Sequence, residues 1–225
     1  MRILQCKFSA FFIVTIHLIV FSPLLSQTHW ETAIYAEDVW SYFVGTNAPP
    51  GNWNELSFDT NNWSSGQGGF GYADEDDNTV IPNTLSVFFR KSFNVPALEE
   101  ILSLAIHADY DDGFVLYING IEILRSDNMG QPGSQVAYDQ TTDTDHEAIM
   151  YQGSAPEVFV LYPNDLDGVL NAGENVLAVE VHNVNETSSD MSGLFYLSFE
   201  LSDGVSYYGG TPEWFYLPNE FSSSH

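Results

Sequence analysis

Apolar and polar residues alternate with a period of two in several short stretches of the chain, and the helical period of 3.6 is almost absent. LSVFFRKSF at 85–93 puts Leu85, Val87, Phe89 and Phe93 on one face of a strand, and ILSLAI at 101–106 groups Leu102, Leu104 and Ile106. GFVLYING at 113–120 alternates again and ends in Asn119-Gly120, a pair that accepts the positive φ angles of a two-residue hairpin turn. A partner strand is therefore predicted over Ile121–Arg125. Further strands are predicted over Glu157–Leu161, 175–182 and 194–201, the last with Phe195, Leu197, Phe199 and Leu201 on one face. Val39–Val44 is predicted as the opening strand. Residues 97–100 fit one helical turn, and no internal repeat is visible. The segments 45–84 and 126–156 are long and polar. Short strands with one apolar face each, joined by turn-rich loops, predict an all-β fold, a β-sandwich of jelly-roll type.

Composition narrows the partners. Among 225 residues, 31 Asp and Glu stand against 5 Lys and Arg, for a formal charge of −26. A phosphate polyanion needs a basic footprint, so nucleic acid is excluded as an expected partner, and anionic membrane surfaces are disfavoured for the same reason. With 44% hydrophobic and only 16% charged residues, this is still a chain that can bury a core rather than an acidic tail.

The first 26 residues read as an address. Arg2 and Lys7 precede the apolar run FSAFFIVTIHLIVF at 8–21, and Ser26 offers a small residue at the end, the pattern of a secretory signal. A membrane anchor over 8–25 is the competing reading, since that run is just long enough to span. Cleavage after Ser26 would leave no membrane span and would remove Cys6, the only cysteine. All 31 acids would remain, with only Arg90, Lys91 and Arg125 among the strong bases. A secreted domain with no disulfide draws its stability from its core or from bound ions. The division expected is a signal at 1–26, a leader at 27–36, one β domain at 37–203, and a linker or the start of a further domain at 204–225. NWS at 62–64 and NET at 185–187 fit the glycosylation pattern.

Three blocks then carry a resemblance: RKSFNVP at 90–96, DYDDGFVLYINGIE at 109–122 and LNAGENVLAVEVHN at 170–183. In this order they resemble the galactose-binding-like jelly roll, which includes sugar-binding domains of β-galactosidase-type hydrolases and bacterial carbohydrate-binding modules. The upstream block around Trp53, Trp63 and WSSGQGGFGYADEDDNT at 63–79 resembles a version of that domain found in secreted bacterial surface proteins, beside CotH-like domains. The end of the chain, PNEFSSSH at 218–225, looks like the start of such a neighbour. The resemblance implies a non-catalytic module, a glycan or polysaccharide as partner, a structural Ca²⁺ and a further domain downstream.

Two acidic groups are candidate cation ligands. Asp74, Asp76 and Asn78 alternate as D-x-D-x-N, which lets side-chain oxygens converge on a hard cation from a turning loop. The spacing departs from an EF-hand, with Thr79 at the sixth position and Leu85 at the twelfth, and a solvated acidic loop is the favoured alternative. Asp109, Asp111 and Asp112 are close enough to repel one another unless a cation or backbone N–H groups relieve them. A turn in which an Asp caps backbone amides competes with Ca²⁺ there. His107, His146 and His182 lack the short spacings of a zinc site.

Trp53, Trp63, Phe70 and Tyr72 lie in a Gly- and Asn-rich stretch. Rings beside polar amides are what sugar recognition needs, a flat apolar face for C–H groups and amides for hydroxyls. The alternative is that they plug an end of the sandwich. Tyr110, Asn119, His182 and Asn183 complete the candidate ligand set, each with a structural reading beside it, as has Arg125. No G-x-S-x-G, P-loop or H-E-x-x-H occurs, and no paired carboxylates stand out from the many acids, so catalysis is not expected. The leading expectation is carbohydrate binding, and the alternative is an architectural or adhesion module with no sugar site.

Overall fold

The alternating stretches become the central strands of two facing sheets in the computed structural model of the chain, which describes residues 28–73, 77–202 and 204–208. The expected signal, Asp74, Asp76 and the end of the chain from 209 lie outside the described residues. Twelve strands are described: β1 (Thr28–Ile34), β2 (Val39–Val44), β3 (Ser64–Gln67), β4 (Phe70–Tyr72), β5 (Thr79–Val80), β6 (Ser86–Val95), β7 (Ile101–Asp111), β8 (Gly113–Ile118), β9 (Ile121–Arg125), β10 (Glu157–Leu161), β11 (Gly173–His182) and β12 (Met191–Ser202). The first sheet runs β10-β7-β12-β4-β5, with β1 added along β12; the second runs β3-β2-β6-β11-β8-β9. From β6 onward the chain passes back and forth between the sheets, β6 to β7, then the β8-β9 hairpin, then β10, β11 and β12. That alternation makes the molecule an all-β sandwich of jelly-roll type, as the sequence pattern predicts. Among the described residues no helix is long and apolar enough to cross a membrane.

Period two decides which side chains meet in the middle. Leu104, Ile106, Ala108 and Tyr110 of β7 and Phe195, Leu197, Phe199 and Leu201 of β12 face Val87, Phe89 and Phe93 of β6, Phe114, Leu116 and Ile118 of β8, and Leu177, Val179 and Val181 of β11. Ile101 takes the core position expected of Leu102, because a register shift between β7 and β12 pairs Leu201 with Ile101 and leaves Leu102 out of the ladder. The helical turn expected at 97–100 is a 3-10 turn over Leu98–Glu100. At the β8-β9 hairpin Asn119 and Gly120 have φ of +53° and +86°, so the turn is of the primed type the dipeptide predicts.

Two expectations change. The stretch expected as a leader contains β1, which pairs antiparallel with β12 from Thr28↔Ser202 to Ile34↔Leu197, so Val39–Val44 is the second strand. Beside that ladder the buried Glu31 carboxylate accepts the backbone N–H groups of Tyr207 and Tyr208 at 2.7 and 2.8 Å. Burial alone would raise the Glu31 pKa, but these amides, Ser206 and His29 bring it below the ordinary carboxylate range. The Gly-rich stretch around Phe70 and Tyr72 forms β4, three residues held by the start of β12.

The second sheet has an outer face of its own. Because Phe88 sits between the inward Val87 and Phe89, it points away from the core, and cross-strand pairing sets Glu180 beside Phe88 and Ala178 beside Tyr117 on that outer face. Parts of the two long polar segments, residues 48–54 and 133–140, fold over this face.

Candidate functional site

Loop 45–63 brings Trp53 down onto the outer face, where its ring meets Phe88 edge-on at 5.0 Å and Tyr117 edge-on at 5.7 Å. Trp63 stacks on Trp53 at 6.2 Å, and Phe58 meets Trp63 at 5.5 Å. Arg90 fixes the loop from beneath: its guanidinium donates to the Trp53 carbonyl and lies 5.1 Å from the centre of the Phe58 ring. Burial lowers the Arg90 pKa.

The second long segment forms the opposite wall. Ser86 Oγ donates to the Tyr138 carbonyl at 2.5 Å, and His182 Nδ1 lies 2.8 Å from the Gln140 carbonyl, so residues 138–140 are tied to β6 and β11. Between the walls lies an open cleft of about 670 Å³, lined among others by Trp53, Asn54, Phe88, Tyr117, Glu122, Gln135, Tyr138, Asp139 and Glu180. Its floor is a polar chain set in apolar surroundings. Tyr117 donates to Glu180 Oε1 at 2.6 Å, and Glu180 Oε2 lies 3.2 Å from His182 Nε2. Glu180 is 3% exposed. Desolvation first, and the Glu180 charge second, push the Tyr117 phenol far above its ordinary value, so it stays a donor. Glu122 is held bidentately by Arg125 at 2.8 and 2.7 Å and accepts the Gly133 N–H at 3.1 Å. The remaining donors of Arg125 go to Met129 O and Ser134, and the hydrogen bonds to Glu122 raise its pKa further.

Of the ligand residues read from sequence, Trp53 lines this cleft and Trp63 supports it from behind. His182 reaches it only through Glu180. The others lie elsewhere. Tyr72 and Tyr110 point into the core between the sheets, because β4 and the far end of β7 continue the alternation. Asn119, in the turn that follows β8, engages its side chain within the fold, donating to Val169 O and Asn175 Oδ1 and accepting from Val176 N. Asn183 is fully buried and donates to the Tyr72 hydroxyl and to Thr84 O. Sequence reasoning missed Tyr117, Tyr138, Glu122, Asp139 and Glu180. Glu180 carried one readable signal, a charge in the middle of an otherwise apolar strand.

The acidic groups are redistributed too. Both Asp109 oxygens accept backbone N–H groups, from Ile149 at 2.8 Å and Met150 at 3.0 Å. Asp112 does the same for His146 at 2.9 Å and Val184 at 2.7 Å. These two carboxylates are therefore ties that hold the loops 143–150 and 183–190 to the ends of the sheets, the amide-capping alternative. Asp111 instead joins Glu147 and Asp190 from those same loops, with one oxygen from each residue within 4.8 Å of the others. Three carboxylates at that spacing suit a hard cation. Tyr72 lies nearby: burial raises its pKa, and the charges of Asp111 and Asp190 raise it further. Of the D-x-D-x-N set, Asn78 is described, and its amide NH₂ donates to Gly68 O at 2.7 Å.

No protein-family model matches the chain, and no curated protein matches it. Solved structures of β-glucuronidases are similar to it in part. A calcium-binding mutant of β-glucuronidase 2 from Bacteroides uniformis aligns with a TM-score of 0.46 and 15% identity, over 77% of this chain and 18% of that one. A β-glucuronidase from glycoside hydrolase family 2 gives 0.47 and 13% over 78% and 18%. The Ruminococcus gnavus β-glucuronidase gives 0.44 and 13% over 76% and 29%. The chain thus spans less than a third of the length of each.

Proposed function

We propose that this chain is a secreted, non-catalytic binding module whose ligand is a glycan held in the cleft on the outer face of the second sheet. The observation that carries the reading is the composition of that cleft. Rings from Trp53, Tyr117 and Tyr138 offer apolar surface, and Asn54, Gln135, Glu180 and Asp139 offer polar groups around a space of about 670 Å³. A sugar presents C–H faces and hydroxyls to such a mixture. The same reading takes Ca²⁺ as a structural ion. Asp111, Glu147 and Asp190 would hold it, and the ion would fasten the two loops that Asp109 and Asp112 already tie. Its chemistry here is charge neutralisation and cross-linking.

The competing reading, an architectural module that orients a neighbouring domain of the CotH-like kind, draws on the burial of Trp53 and Tyr72. An immobilised panel of plant, bacterial and animal-type glycans separates the two. The proposal expects retention on at least one glycan class, lost on Tyr138→Ala with the fold intact by circular dichroism. Tyr138 is half-buried in a loop, so its removal leaves the sheets in place. Retention on none of them, with and without Ca²⁺, would overturn the glycan reading in favour of the architectural one.

A further inference from the structure

We infer that the cleft selects sugars that carry a protonated amine, that is, deacetylated amino-sugar units, over neutral or acidic ones; this rests on the glycan reading of the cleft. The residues lining it include three acids, Glu122, Asp139 and Glu180, and no Lys or Arg. The Lys and Arg side chains of the described residues already have partners. Arg90 donates to the Trp53 carbonyl beneath the loop, Lys91 lies 3.4 Å from Asp38, and Arg125 is 8% exposed with its donors on Glu122, Met129 and Ser134. A ligand carboxylate or sulfate would meet no free cation in the cleft.

The acids are not equivalent. Glu122 is answered by Arg125. Glu180, on the floor, is met by the Tyr117 hydroxyl and the His182 ring, and Asp139 stands exposed on the rim. Among the described residues, the carboxylates that come close enough together to share one ion are Asp111, Glu147 and Asp190, none of which lines this cleft. An extended organic cation, whose ammonium donates to one carboxylate while its ring rests on an aromatic side chain, fits such a dispersed set better than a metal does. A concave wall focuses the field of the carboxylates that line it, so an ammonium entering the cleft is attracted more strongly than one at a flat surface. Tyr117 and Tyr138 add the negative faces of their rings.

The test is isothermal titration of the full chain with three oligosaccharides of equal length: β-1,4-linked glucosamine, its N-acetylated form, and the neutral glucose polymer. The glucosamine oligomer is expected to bind about tenfold tighter or better, as a charge-assisted hydrogen bond in place of a neutral one implies. Asp139→Asn, an exposed position, should narrow that gap several-fold, and Glu180→Gln should narrow it further. Glu37→Gln, an exposed acid outside the cleft, controls for bulk attraction between a polycation and an acidic protein. Equal affinity for all three oligomers, or no binding by any of them, overturns the amine preference, whereas the glycan reading itself stands or falls on the glycan panel. Narrowing by Glu37→Gln as large as that by Asp139→Asn overturns the inference as well, because the attraction then belongs to the whole surface.

Discussion

Asp112→Asn isolates the device that holds the loops at one end of the sandwich. The wild-type carboxylate is 3% exposed and accepts two amides, His146 N–H on one oxygen and Val184 N–H on the other. Asparagine has nearly the same shape but one acceptor, so its NH₂ must face one of those N–H groups. A hydrogen bond to a charged group contributes about 1.5–3 kcal/mol, and a buried donor left without a partner costs about 1–3 kcal/mol. Partial relaxation of an end loop keeps the total near the lower sum, about 2.5 kcal/mol. For a domain of this size that corresponds to a fall in melting temperature of about 5–10 °C. The assay is urea denaturation and thermal melting of wild type, Asp112→Asn and the exposed control Asp143→Asn, with amide exchange read at His146 and Val184. The expected pattern is a large loss for the first variant, none for the control, and faster exchange at one or both amides. A melting temperature within about 1 °C of wild type, with unchanged exchange, would falsify the assignment of Asp112 as a tie.

Other expectations follow from the same geometry. Chelation of Ca²⁺ should lower the melting temperature of wild type, and Asp190→Asn should abolish that difference; at a concentration of ion about a hundred times its dissociation constant the shift corresponds to about 2.7 kcal/mol. Burial of His107, stacked on Tyr196 at 4.3 Å, depresses its pKa from 6.5 to about 4. The unfolded chain therefore takes up a proton that the folded one refuses, so this contribution is complete above pH 6.5 and is lost as pH falls toward 4, by roughly 3 kcal/mol. Urea titrations across that range should show the loss in wild type and a smaller one in His107→Phe, which keeps the stack; identical pH slopes would remove the assignment. Phe199→Ala opens the centre of the core, and equilibrium unfolding should register a loss of about 3–5 kcal/mol.

What could be read from the sequence was what repeats with period two. β6, β8, β11 and β12 each carry enough apolar residues on one face to declare themselves without a partner. β1 does not, because its sequence THWETAI buries Glu31 and Thr32 beside Ile34, and only the ladder with β12 makes it a strand. β4 and β5 are shorter still and owe their form to neighbours. The same limit governs the sites. Of the four rings read as one cluster, Trp53 and Trp63 stay together on the outer face, whereas Phe70 and Tyr72 pass into the core once β4 joins the first sheet. Glu180, Tyr117 and Tyr138 join the two tryptophans only once β11, β8 and a distant loop have been brought to the same face. Asp109, Asp111 and Asp112 look alike on paper. Their division into two ties and one member of a carboxylate cluster depends on whether each side chain finds amides or acids in the loops opposite.

The pairing of Thr28 with Ser202 also decides how the domain would answer a pull. Both ends of the β1-β12 ladder leave the sandwich at the same corner, so tension drawn through residues 28 and 208 opens the strands like a zip, breaking one rung before loading the next. Strands pulled past each other would instead share the load over many hydrogen bonds at once. The Glu31 carboxylate, clasping the amides of Tyr207 and Tyr208, is the catch at the head of that zip. Once it yields, the domain would lengthen at low force by peeling its first strand, while the β6-β11-β8 ladders on the opposite sheet stay closed.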